Sequence, residues 1–147
     1  MALDNVYNTK ILDYAGNIGL IGRLDAPHGS AKAHSKLCGS TVTVDVRVEN
    51  GRVSDYAQDV KACALGQASA AILAENVIGA TLDELRAGQS DLKAMLKDDG
   101  PTPGGRFEAL SFLEPVKEYR SRHASTMLPF DAVVKAVEEA LGGEKVA

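Results

Sequence analysis

The sequence predicts an α+β fold: a small antiparallel sheet, with a hairpin at about 41–60, packed against several helices. Three observations predict it. Thr41-Val-Thr-Val-Asp-Val-Arg-Val-Glu49 alternates strictly, so Val42, Val44, Val46 and Val48 face one side and Thr41, Thr43, Asp45, Arg47 and Glu49 the other. Asn50-Gly51 follows, the pair favoured in a tight type I′ hairpin turn, and a return strand fits Arg52 to Val60. The composition then switches to an Ala-rich helical stretch over 62–78. The chain of 147 residues fits one domain, 1–147, in which roughly two thirds of the unfolded surface can be buried.

The elements follow in order. Residues 4–15 read as a helix capped by Asp4 or Asn5, with Val6, Tyr7, Ile11, Leu12 and Tyr14 as its apolar stripe. Gly16, Gly19 and Gly22 break it, and 22–37 reads as a loop with room for one short strand. After the hairpin, the helix over 62–78 is apolar over most of its girth, which predicts burial, and Gly79 suits its end. Thr81-Leu-Asp-Glu84 is a capping-box pattern opening a short helix to about Ala87, with another short helix from Asp91 to Leu96. Asp98 to Gly105 is a loop by composition, and a helix fits Phe107 to Leu113. The last helix is expected from Thr126 to about Leu141, with Pro129 in its first turn and Gly142-Gly143 at its end. No internal repeat is present.

Composition narrows the function. Net charge is −4, which argues against a nucleic-acid partner. No run nears the roughly 20 apolar residues of a membrane helix, and the N-terminus lacks a basic region followed by an apolar one. A cytoplasmic protein is therefore expected, with its two thiols, Cys38 and Cys63, reduced, reactive or metal-bound rather than bridged.

These thiols carry the chemistry. Cys38 immediately precedes the first hairpin strand and Cys63 follows the second, so the hairpin should bring them together. Cys63 also opens the Ala-rich helix, where free N–H groups and the macrodipole favour negative charge, and Lys61 adds to that field. Thiolate is the form that binds soft metals or attacks sulfur. The plainer alternative is two small hydrophobes in a core. His28 and His34 lie in a loop, where solvent exposure is the ordinary state, and His123 is flanked by Arg120 and Arg122. No CxxC or HxxxH spacing marks a local zinc site. Ser125 suits an N-cap of the last helix. No Lys-Ser/Thr follows a glycine cluster, which excludes a phosphate loop. No nucleophile, base and oxyanion site can be assembled, so the chain is not expected to be an enzyme.

The chain resembles the U-type iron–sulfur cluster assembly scaffolds: IscU, SufU and the N-terminal domain of NifU. Tyr7-Asn-Thr-Lys-Ile-Leu-Asp-Tyr14 is similar to that family's opening helix. Leu37-Cys38-Gly39-Ser40 resembles its Cys-Gly-Asp motif, and Ala62-Cys63-Ala64-Leu65-Gly66-Gln-Ala-Ser69 its second-cysteine segment. Gly79-Ala-Thr-Leu-Asp-Glu84 and residues 113–136 resemble the stretches that follow. The resemblance implies a SufE/NifU-like fold. It also implies a scaffold or carrier for iron or a [2Fe–2S] cluster, with zinc as an alternative, and a cysteine desulfurase and other assembly proteins as partners. In that family three cysteines and an aspartate surround the metal. Carried over, Cys38 and Cys63 match two cysteines, Ser40 stands at the aspartate and Ser125 at the third cysteine. His123, two residues from that position, is the candidate third ligand. An external thiol such as glutathione, or a cysteine of another subunit, is an alternative. A degenerate paralogue that only binds a partner is another.

Overall fold

The computed structural model describes residues 8–36 and 39–146. The first helix, α1, covers Thr9–Ala15 and is capped by Asn8, whose side chain accepts from the Ile11 N–H. The expected caps Asp4 and Asn5, with Val6 and Tyr7, lie outside the described residues. Three strands follow: β1 over Gly29–His34, β2 over Thr41–Glu49 and β3 over Arg52–Lys61. They form one antiparallel sheet in the order β1-β2-β3. Asn50 and Gly51 both take positive φ (54° and 76°), as a type I′ turn requires. β1 falls in a stretch where only one short strand had room. Its sequence, Gly-Ser-Ala-Lys-Ala-His, has little β propensity, and its place is set by pairing with β2 from Gly29↔Val46 to His34↔Thr41.

The valine face of β2 is the core face: Val42, Val44 and Val46 are fully buried. Asp45, expected on the solvent face, is buried too. The chain before β1 crosses that face and seals it: Arg23 binds the Asp45 carboxylate through Nε (2.7 Å) and Nη2 (3.0 Å), while the Leu24 N–H and Ser30 hydroxyl also donate to it. A buried carboxylate is tolerable when every oxygen is so engaged. The same crossing segment bonds to the outer edge of β3. Gln58 N–H donates to the Leu20 carbonyl and Gly22 N–H to the Gln58 carbonyl. At the other end of β3, Val53 N–H donates to the Ala80 carbonyl and Gly79 N–H to the Val53 carbonyl.

Helix α2 covers Ala64–Asn76, with Leu65, Ala68, Ile72 and Leu73 fully buried. Helix α3, over Leu82–Lys97, is opened by the expected Thr81/Glu84 capping box. It is one helix where two short ones were expected. Gly88 does not break it, because the Phe107 and Phe130 rings pack where a Cβ would stand, at 2.9 and 3.0 Å. Those rings meet edge to face at 5.3 Å. Turns of 3₁₀ helix cover Gly105–Glu118 and Arg120–Arg122 and lead directly into α4, His123–Val146. This last helix starts earlier and ends later than expected, and Gly142-Gly143 does not stop it. Pro129 therefore sits in its second turn, where it has no N–H for the Ser125 carbonyl four residues back. Helix α4 packs on β1 so closely that a Cβ on Gly29 would stand 2.0 Å from the Ala136 carbonyl oxygen.

Candidate functional site

The hairpin register pairs Thr41 with Lys61, so the entry to β2 and the exit of β3 share one end of the sheet. Cys63 follows that exit and is the N-cap of α2, with extended backbone (φ −69°, ψ 173°) and no capping hydrogen bond from its side chain. It is a free, half-buried cysteine. Cys38 lies outside the described residues, as does Leu37. The flanking chain is tied down: Ser35 N–H donates to the Ser40 carbonyl, and Gly39 N–H to the Ser35 carbonyl. Gly39 takes a positive φ of 71°, a turn that glycine makes without strain. Ser40 is buried.

What the structure brings to Cys63 is Ser125. The Cys63 Sγ and Ser125 Oγ atoms lie 3.0 Å apart, and Ser125 is fully buried. Gly66 makes this possible. A Cβ there would stand 2.8 Å from the Ala62 Cβ, 3.1 Å from the Ser125 carbonyl oxygen and 3.3 Å from its Oγ. The missing side chain lets α4 approach the first turn of α2. Ser125 is therefore no N-cap: helix α4 already began at His123, and the hydroxyl of Thr126 donates back to the Arg122 carbonyl.

His123 is placed elsewhere. Two residues before Ser125 in one helix, it points about 200° around the axis from it. Its Nε2 lies 3.0 Å from the Val116 carbonyl and 3.2 Å from that of Lys117, and only 5% of the residue is exposed. The ring anchors the 3₁₀ segment to α4 rather than facing the Cys63 sulfur. His28 accepts from the Val48 N–H through Nδ1 and so braces the sheet. His34, at the end of β1, is exposed. Among the described residues no group of three His, Cys, Asp or Glu side chains could hold a metal ion. The site's described part thus offers one sulfur and one hydroxyl oxygen side by side. The sequence pattern offered Ser125 as an N-cap, and only the family resemblance set it beside the cysteines. The packing signal was Gly66, whose need for close approach is invisible until its neighbour is known.

A family model described as the NifU-like N terminal domain matches residues 6–125. The chain is 24% identical over 139 residues to the iron-sulfur cluster assembly scaffold protein IscU of Thermotoga maritima, across 95% of this chain and 97% of that protein. The crystal structure of a nitrogen-fixing NifU-like protein (N-terminal) from Brucella abortus superposes with a TM-score of 0.94 at 51% identity, covering 97% of this chain and 99% of that one. The putative scaffold protein for the SUF system from Fervidobacterium islandicum AW-1 gives 0.83 at 22% identity, over 91% and 98%. No helix among the described residues is long and apolar enough to cross a membrane.

Proposed function

Because the chain belongs to the NifU-like N-terminal domain family, we propose that it is an iron–sulfur cluster assembly scaffold or carrier. Iron or a [2Fe–2S] cluster is its cargo, held through Cys38 and Cys63. The observation that carries this reading is the Cys63 sulfur at the N-terminus of α2, at the sheet end where the Cys38 segment enters β2. Thiolates suit iron and iron–sulfur clusters, and the helix terminus favours the negative charge. The partners are a cysteine desulfurase as sulfur donor and other assembly proteins, acting in the cytoplasm. His123 is not among the ligands, since its ring is committed to the 3₁₀ carbonyls.

A second reading rests on Ser40 and Ser125. Serine is a poor ligand for zinc or iron, so a module that keeps the fold and binds a partner without metal is the alternative.

The test is iron, zinc and acid-labile sulfide content, with an absorption spectrum, on protein purified without oxygen. The parent is expected to hold iron and sulfide, and Cys38→Ala and Cys63→Ala each to lose them. A parent free of iron, zinc and sulfide would sink the scaffold reading and leave the partner-binding module.

A further inference from the structure

The two margins of the sheet differ. The outer edge of β3 is bonded to segments of the same chain, whereas β1 ends the sheet on the other side. The Ser30 N–H turns away from β2 and donates to the Glu139 carboxylate of α4 (3.4 Å). The Ser35 N–H, just past β1, turns the other way and donates to the Ser40 carbonyl at the entry to β2. Main-chain groups alternate in direction along a strand. Ala31 and Ala33 therefore bond to their β2 partners Val44 and Val42, while the N–H and C=O groups of Lys32 and His34 point outward. No other segment of the described residues bonds to them. Along this stretch lies a cavity of about 470 Å³, lined by Lys32, Ala33 and His34 on one side and by Asp131, Val134 and Lys135 of α4 on the other. An added strand would run about 4.8 Å outside β1.

The side chains on this edge choose the strand. Lys32 and His34 are exposed. They share a face of the sheet with Ser30, whose hydroxyl reaches Asp45. Residues directly opposite each other in a ladder project to the same face, so an added strand would set two of its side chains beside Lys32 and His34. The residue between those two, opposite Ala33, would project to the α4 side. There Asp131 is half-buried, and its carboxylate accepts one hydrogen bond among the described residues, from Gln89 Nε2 (2.9 Å). An antiparallel second copy of β1 would set Lys32 against another Lys32 or against His34, and so brings the lysine no anion. Like charges directly opposite destabilise a pair, and opposite charges stabilise it.

We propose that the β1 edge docks an extended acidic segment of a partner protein. The segment adds antiparallel as a fourth strand, with carboxylates opposite Lys32 and His34 and a β-branched hydroxyl residue between them, opposite Ala33. Main-chain bonds to Lys32 and His34 hold the strand, and the alternate side chains select it.

The probe is the peptide acetyl-Val-Glu-Thr-Glu-Val-amide, added to the metal-free full chain and followed by amide resonances and hydrogen exchange. In the free chain the Lys32 and His34 amides are expected to exchange fast and those of Ala31 and Ala33 slowly. Saturating peptide should slow the first pair. Methylating the two glutamate nitrogens, which face β1 in this register, should abolish binding. Methylating the threonine nitrogen, which faces away, should leave it. Lys32→Glu should weaken the acidic peptide about fivefold and prefer acetyl-Val-Lys-Thr-Lys-Val-amide, with melting temperature unchanged. Absence of protection at Lys32 and His34, equal effects of the two methylation patterns, or an unchanged peptide preference in Lys32→Glu overturns the proposal. Slow Lys32 exchange in the peptide-free chain that quickens on dilution would give the edge to a second copy and overturn it as well. No arm uses metal, so each of these failures leaves the cluster reading standing.

Discussion

Gly66 decides how near α4 comes to Cys63. Its absent Cβ is the space in which the Ser125 main chain and hydroxyl rest. Gly66→Ala would gain roughly 1 kcal/mol of helix propensity in isolation. Here the added methyl group meets the Ala62 Cβ at 2.8 Å and the Ser125 carbonyl at 3.1 Å. Overpacking of this kind costs about 1–3 kcal/mol, so a net loss of stability is expected in urea denaturation. Because the clash falls on Ser125, the variant should also open the Cys63–Ser125 contact and speed alkylation of Cys63. A slower or unchanged alkylation rate would contradict the assigned packing.

Among the elements, those set by local pattern were the legible ones. The hairpin followed from alternation and Asn50-Gly51, and the start of α3 from Thr81 and Glu84. Strand β1 was not written locally, since its pairing with β2 and the approach of α4 to Gly29 hold it. The continuity of α3 through Gly88 depended on two phenylalanines distant in sequence. Burial of Asp45 needed Arg23, 22 positions away. At the candidate site, the position of Cys63 at the start of α2 followed from local composition, whereas the turning away of His123 followed from a helix start three residues earlier than expected. Gly88→Ala tests the α3 account. Against the helix-propensity gain of about 1 kcal/mol stands the clash with Phe107 and Phe130. The expected result is a lower urea midpoint with an unchanged slope. A raised midpoint would show that the rings yield freely.

At the scale of the whole molecule, Asp45 couples the crossing segment 16–28, the sheet and the pH of the medium. Its carboxyl lies at about 2, below the ordinary 3.8, mainly because Arg23 hydrogen-bonds to it, with further bonds from Ser30 and Leu24 and burial opposing. A lowered folded value means that the stabilisation is present above the unfolded value. It is lost as pH falls from about 4 toward 2, and is worth about 2 kcal/mol. Thermal melts from pH 6 to pH 2 should show the parent converging on Asp45→Asn as acid is added. A constant gap between the two down to pH 2 would place the pH sensitivity elsewhere.

The backbone bonds that Leu20 and Gly22 make at one end of β3, and Gly79 and Ala80 at the other, have a colloidal consequence. An outermost strand with free amide and carbonyl groups is a template for a passing chain. Here segments of the same chain already occupy those groups at Val53 and Gln58. This margin of the sheet is thereby guarded against recruiting further copies of the chain into fibrils.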